Sequence, residues 1–366
     1  MNNNKKKSFV SIIVCIYNEE KYLQQCINAL LKQNYPKEKY EIIVIDDGSE
    51  DASPEICKKA INNNKGRLPF IQYALIQHSG ISVGRNTGAY LSQGDIIAYI
   101  DGDAVADKNW ITELVKAFGN DKTIGVVGGK IEVLNNKNFI PRFIHIARHC
   151  QFFGPKIFKN HLTAANLAFR KDVFKTLGGF YEEFIRRGEE PAFCNKVFKK
   201  YRFNAAPLAI VYHEMPSTFL TWLTLEYIEA YSEQFVEKTK NEKQTKTLRQ
   251  RVSYIEKIFV SLFPVLGIGL LLFSSTLLLA LFLISSLFMV RRYVFKLEQR
   301  VIYRKLFSTF KNPGIIFLFI VINWASTVLK AIGIAIGHFS SRKYQPKEMI
   351  PSGNKIIKIL TNNELS

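Results

Sequence analysis

The sequence predicts an α/β domain built on a mainly parallel, Rossmann-like sheet flanked by helices, followed by an α-helical membrane region. Three observations carry this. Strand-like apolar runs alternate with helix-periodic segments through roughly the first 215 residues, the pattern of a parallel sheet covered on both faces. Two acidic clusters, Asp46-Asp47-Gly48-Ser49 and Asp101-Gly102-Asp103, each follow directly on such an apolar run. Further on, Ile258 to Val290 contains no charged residue, and Gly314 to Phe339 contains only Lys330 and one histidine.

Taken in order, Phe9 to Ile16 is an apolar run broken by Ser11, and Tyr17-Asn18-Glu19-Glu20 follows it before a periodic segment from Tyr22 to Leu31. This predicts a strand, a polar turn in which Asn18 can cap, and a helix. Tyr35-Pro36 ends that helix, Tyr40 to Ile45 is a second strand, and Asp51 to Pro54 opens the next helix. A third strand is expected over Pro69 to Ile76, a loop over His78 to Asn86, a helix over Thr87 to Leu91 and a strand over Asp95 to Ile100. A helix after Trp110 leads to a strand over Gly125 to Val133, and residues 139–165, aromatic and basic without clean periodicity, read as loops and short helices. Strand character returns at Asn166 to Arg170. Gly178-Gly179-Phe180 is a turn, a helix follows Arg187-Gly188-Glu189-Glu190, Ala209 to His213 is a late strand, and Thr218 to about Lys240 is helical.

The boundaries expected from this are a polar tail at 1–7, the α/β domain at 8–235 and a basic linker helix at 236–257. Membrane-embedded helices at 258–339, with a basic interfacial segment at 291–312, and a basic tail at 340–366 complete the chain.

Both acidic clusters should lie at carboxyl ends of strands, where open α/β sheets bind ligands. Asp101 and Asp103, two apart in extended chain, project to one face and can share one hard cation, Mg2+ or Mn2+. His213, after the late strand, can complete that shell or touch a diphosphate. No glycine-rich loop with a following lysine cradles phosphate, which argues against kinase or NTPase chemistry.

The 366 residues carry a formal net charge of +19. Much of the excess lies beside the apolar stretches, from Lys238 to Lys257 before the first and from Arg291 to Lys311 after it. Bases in such places suit an anionic lipid surface, and no zinc-finger spacing or RNA-binding aromatic motif accompanies them, so membrane is expected as a partner and nucleic acid is not. Each apolar stretch reaches the roughly 20 residues that cross a bilayer, the second being the better single span. The polar start lacks a signal-peptide core, so the α/β domain is expected on the cytoplasmic side of an inner or plasma membrane. The five cysteines are scattered without metal spacing and read as buried free thiols.

Together, Ser11-Ile12-Ile13-Val14-Cys15-Ile16-Tyr17-Asn18-Glu19-Glu20, Leu31-Lys32-Gln33-Asn34-Tyr35-Pro36, the Asp46-Asp47 pair, Gly84-Arg85-Asn86-Thr87-Gly88, Asp101-Gly102-Asp103, Gly128-Gly129, Gly178-Gly179-Phe180 and Gly188-Glu189-Glu190 resemble family 2 of the inverting, GT-A-fold glycosyltransferases. The resemblance covers about residues 8–215. It implies a GT-A fold, a nucleotide-sugar donor such as a UDP- or GDP-sugar, and a metal site at Asp103 with Asp101 near the ribose or a metal water. Asp46 and Asp47 would bond the base and ribose, with Glu19 and Arg85 completing the pocket and Asn166 near the sugar. Glu190, or else Glu189, would be the base that deprotonates the acceptor.

Two positions depart from the family pattern: Cys15 stands where proline is usual, and Glu190 where aspartate is usual. A transfer domain followed by membrane segments is similar to exopolysaccharide-assembly transferases, which implies a lipid-linked (polyprenyl-linked) saccharide acceptor. The Gln-x-x-Arg-Trp motif of processive synthases is missing, so one sugar is expected per encounter. Transfer directly to polyprenyl phosphate and an inactive membrane scaffold are the competing readings.

Overall fold

The computed structural model describes residues 7–149, 163–184, 187–238, 276–290, 297–340 and 356–362, with isolated helical positions at 266, 267 and 270. The chain divides into two compact units: Met1–Asn135 with Gly154–Met215 and Pro346–Ser366, and Asn136–Phe153 with Pro216–Gln345.

The first unit is a nine-stranded mixed sheet of order β5-β8-β6-β7-β4-β1-β2-β3-β9. Its strands are β1 (Val10–Ile16), β2 (Tyr40–Asp46), β3 (Phe70–Ile76), β4 (Ile96–Asp101), β5 (Ala104–Ala106), β6 (Ile124–Val133), β7 (Leu167–Arg170), β8 (Arg202–His213) and β9 (Ile356–Thr361). The quartet β4-β1-β2-β3 is parallel, as the apolar runs predict, and β6 pairs in parallel with β8. The pairings β4–β7, β6–β7, β5–β8 and β3–β9 are antiparallel, so the sheet is less parallel than expected.

The pleat of β1 explains how both faces become core. Ile12 and Val14 pack on one side with Leu23, Ile27 and Leu30 of α1 (Leu23–Leu31), Ile61 of α2 (Ser53–Asn63) and Trp110 and Leu114 of α4 (Trp110–Phe118). Ile13 and Cys15 pack on the other with Val83 and Ala89 of α3 (Ile81–Leu91), Val173 of α6 (Lys171–Leu177) and Phe193 of α7 (Glu189–Val197). A Cβ on Gly88 would strike Cγ2 of Ile13, so the glycine lets α3 sit against β1.

Several local expectations fail for non-local reasons. Helix α3 begins at Ile81, inside the stretch read as a loop, because the distant Asp47 carboxylate accepts the backbone N–H groups of Ser79 (2.7 Å) and Gly80 (2.8 Å) ahead of it. Asn18 caps no helix; it takes φ 57° and accepts the N–H of Glu50, while α1 starts at Leu23. Strand β8 begins at Arg202, and β5 and β9 were not anticipated: β5 is three residues long, and β9 pairs with a strand almost three hundred positions earlier. Asn362 fastens that edge, its side-chain oxygen accepting the N–H of Ile71 and its amide donating to the carbonyls of Asn64 and Arg67. Cys15, Cys26, Cys57 and Cys194 are buried free thiols as expected; Cys150 lies outside the described residues.

The second unit is helical: α5 (Phe139–His149), α8 (Phe219–Lys238), α9 (Thr276–Val290), α10 (Leu297–Phe310) and α11 (Gly314–Ser340). It starts earlier than the expected boundary and takes in residues 139–149 as one helix; the rest of the stretch up to 162 lies outside the described residues. Phe143, Ile144, Trp222, Ile302, Leu306, Ile315 and Phe319 form its core. Among the described residues, one helix, Gly314–Gly337 within α11, is long and apolar enough to cross a membrane. Of the first apolar stretch, α9 and three earlier positions are described.

Candidate active site

The register sets the site. Ile16 of β1 lies opposite Asp46 of β2, Cys15 lies opposite Asp101 of β4, and Asp46 lies opposite Leu75 of β3, so these strands end level with one another. The residues just beyond them, Tyr17 to Glu19, Asp47, His78 and Asp103, therefore line one rim of the sheet.

Asp101, Asp103 and His213 converge there, one ligand atom from each lying within 4.8 Å of the others. His213, at the end of β8, reaches Asp101 Oδ2 at 3.2 Å and Asp103 Oδ1 at 3.3 Å through Nε2, while its Nδ1 lies 2.6 Å from the carbonyl oxygen of Glu214. An Nδ1–H donated to that carbonyl leaves Nε2 as the ligand atom, the arrangement in which histidine binds metals. Two hard carboxylates and one imidazole suit a divalent ion such as Mn2+ or Mg2+. Without a cation, burial lowers the basicity of His213, but the charges of Asp103 and Asp101 outweigh it and push its pKa up to about 10. Burial also pushes Asp103 up, to about 6, against the pull of His213.

Gly102 keeps this corner open. A Cβ there would sit 2.7 Å from Ile16 Cγ2 and 3.3 Å from Glu19 Cγ. Glu19 thus stands against the Asp-Gly-Asp turn, and burial, then Asp103 and Asp101, push its carboxyl up to about 8.

Arg85 occupies a different place from the donor pocket expected of it. Its side chain, 5% exposed, pairs with Glu189 and reaches Asp101 Oδ1 at 3.3 Å and Glu190 Oε1 at 3.5 Å. A buried guanidinium surrounded by three carboxylates is held there by charge and has no open face for a nucleotide. Glu190 lies in the first turn of α7 after Gly188, whose φ of 108° favours glycine, and its Oε1 accepts the Ala164 N–H at 2.7 Å. Burial raises its pKa and Arg85 opposes that rise. Glu189 Oε2 is buried without a hydrogen-bond partner, and burial pushes that carboxyl up to about 7.

Asp46 is likewise not where the nucleotide reading puts it. Fully buried, it accepts the Ser49 N–H at 2.8 Å on one oxygen and the Tyr73 hydroxyl at 2.7 Å on the other, so its carboxylate fixes the turn after β2. Asp47 stays at the rim, fixed by Ser79, Gly80 and His78. Asn166, expected near the sugar, is buried and spends its amide on the Lys130 and Ala209 carbonyls and the Trp110 indole N–H, each at 2.8 Å. Sequence reasoning overlooked Tyr17 and His78, exposed rings with centroids 4.4 Å apart beside Asp47. Their positions just after β1 and β3 were the available signal.

Comparison with known proteins agrees with this geometry. The model of glycosyl transferase family 2 matches residues 11–178, and that of glycosyl transferase family group 2 matches residues 96–322. The probable glycosyltransferase YdaM of Bacillus subtilis is 29% identical over 232 residues, 60% of this chain and 54% of its own length. The glycosyltransferase AglE of Haloferax volcanii is 31% identical over 50% of this chain and 59% of its own length, and a glucosyl-dolichyl phosphate glucuronosyltransferase of the same organism is 28% identical over 50% and 58%. The chain thus spans little more than half the length of these relatives. A solved mannosyltransferase, PcManGT from Pyrobaculum calidifontis in complex with GDP-Man and Mn2+, superposes over 93% of this chain and 89% of its own with a TM-score of 0.57 at 15% identity, a likeness of fold. Since the second family model spans well over half of its residues, the chain belongs to glycosyl transferase family group 2, and its fold is of the GT-A type.

Proposed function

We propose that this enzyme is a divalent-metal-dependent, inverting transferase that moves a sugar from a nucleoside-diphosphate donor to a hydroxyl of a membrane-held, lipid-linked saccharide. The observation that carries the reading is the meeting of Asp101, Asp103 and His213 at the rim, with Arg85 joining Asp101 to Glu190.

Asp103, Asp101 and His213 would hold Mn2+ or Mg2+. A cation bound there supplies Lewis-acid stabilisation to the departing diphosphate. Asp47 accepts hydrogen bonds from the donor's ribose or base, and Tyr17 and His78 offer aromatic surface to a planar base. Glu190, anchored by Ala164, takes the proton from the acceptor hydroxyl as it attacks the anomeric carbon from the face opposite the leaving group. Arg85 sets the distance between the metal-side carboxylate and this base.

The acceptor assignment draws on a relative named for glucuronosyl transfer to glucosyl-dolichyl phosphate and on the apolar helices of the second unit. The test is a screen of UDP- and GDP-sugars against extracted membrane lipids, with Mn2+ or with chelator, read by mass spectrometry. A metal-dependent sugar added to a lipid-linked saccharide is the expected product. Donor left intact under every condition overturns the reading.

A further inference from the structure

Two of the three residues that meet at the metal corner are held in place by a neighbour that is not one of them. Glu214 donates its backbone N–H to the Asp103 carbonyl at 3.2 Å, and its own carbonyl oxygen lies 2.6 Å from His213 Nδ1. The end of β6 holds the same segment from its other flank. Leu134 donates its N–H to the His213 carbonyl at 2.9 Å, and the Asn135 side chain both donates to the Met215 carbonyl (2.8 Å) and accepts the Met215 N–H (3.0 Å). These bonds leave the Glu214 carboxylate free for a distant partner. Lys21 Nζ donates to its Oε1 at 2.6 Å, across 193 positions of sequence.

Lys21 belongs to the turn between β1 and α1, Tyr17 to Tyr22, and the ammonium also lies over the Tyr22 ring, 4.7 Å from its centroid. The other flank of this turn is bonded to the chain that follows Asp47. The Ser49 and Ser53 hydroxyls accept the N–H groups of Asn18 and Glu19, each at 2.9 Å, and the Asp51 carboxylate accepts that of Glu20 at 3.0 Å. In return the Asn18 and Glu20 side chains accept the N–H groups of Glu50 and Ala52, at 2.8 and 3.0 Å. The turn is thus tied to the Asp47 side of the rim by its backbone and to the metal corner through Lys21.

We propose that the Lys21–Glu214 pair is a latch that positions the metal centre. It clamps the turn bearing Tyr17 and Glu19 to the His213–Met215 segment, so the metal ligands and the nucleotide edge of the rim keep one spacing. Lys21 and Glu214 are positioning residues. The proposal rests on the metal reading above and adds to it the pair that fixes the ligands.

Charge alone predicts the opposite effect for Lys21. It is a cation beside a cation site, so removing its charge would strengthen metal binding if it did nothing else. A latch predicts weaker binding, because His213 and Asp103 lose the tie that steadies Glu214. The Lys21 side chain is 66% exposed, which keeps the expected effect to about two- to fivefold.

The test titrates Mn2+ by its free-ion EPR signal, without donor, into the full chain as wild type, Lys21→Met, Glu214→Gln, the double variant and Lys21→Arg. Each single loss should weaken Mn2+ binding by about two- to fivefold, the double variant should be no weaker than the weaker single, and Lys21→Arg should bind as the wild type does, all with cooperative melting. Unchanged or tighter Mn2+ binding by Lys21→Met would overturn the latch and leave the metal site standing. A wild type that binds no Mn2+ would overturn both.

Discussion

Arg85 forms a buried ion pair with Glu189, and the same guanidinium lies 3.3 Å from Asp101, so one cation of the protein ties the first turn of α7 to the Asp-Gly-Asp corner. The relationship makes Arg85 a strut between the two halves of the site. Replacing it by Gln leaves buried carboxylates unpaired and should cost about 3–5 kcal/mol of stability in denaturant unfolding. Lysine keeps the charge but not the fork, so Arg85→Lys should fold and still lose most turnover. Because the charge of Arg85 opposes the upward push on Glu190, the acid limb of the kcat/KM profile should move to higher pH where that charge is removed, as in Arg85→Gln, and less where lysine keeps it.

Glu190→Gln should retain nucleotide and metal affinity and lose transfer by about 10²–10⁴-fold, the usual worth of a general base. Isothermal titration with UDP and GDP in the presence of Mn2+, set against single-turnover transfer, separates the two properties. Glu189→Gln is the companion measurement: a loss confined to stability would keep it out of the chemistry.

In the metal-free protein, Glu19 imposes a pH dependence on stability. Its folded pKa of about 8 exceeds the ordinary 4.5, so the folded state holds a proton that the unfolded chain releases between those values. Stability should therefore fall as pH rises through that window, and Glu19→Gln should flatten the fall. Melting temperature against pH, in chelator, is the check.

Asn166→Ala should destabilise the fold by about 1–3 kcal/mol, since it leaves the Lys130 and Ala209 carbonyls and the Trp110 indole without their buried partner. Urea unfolding measures it. A variant with native stability but altered donor affinity would return Asn166 to the sugar site.

The parallel quartet β4-β1-β2-β3 was legible because strands buried on both faces spell themselves as continuous apolar runs, and the acids that close them mark the rim. What escaped was set by partners far away in sequence. Asp47 initiates α3 from another loop, β9 finds β3 across almost the whole chain, and Asn166 serves the core although it stands beside the site. The motif carrying Arg85 was visible, but its burial beneath Asp101 and Glu189 depends on how α3 and α7 pack.

The most direct measurement is Mn2+ binding, followed by the loss of its free-ion EPR signal in the presence of UDP or GDP, in the wild type and in Asp103→Asn and His213→Ala. Each substitution should weaken binding by at least about tenfold and remove metal-dependent donor turnover while leaving the melting profile cooperative. Unchanged Mn2+ affinity in both variants, with donor turnover intact, would contradict the three-ligand centre on which the mechanism stands.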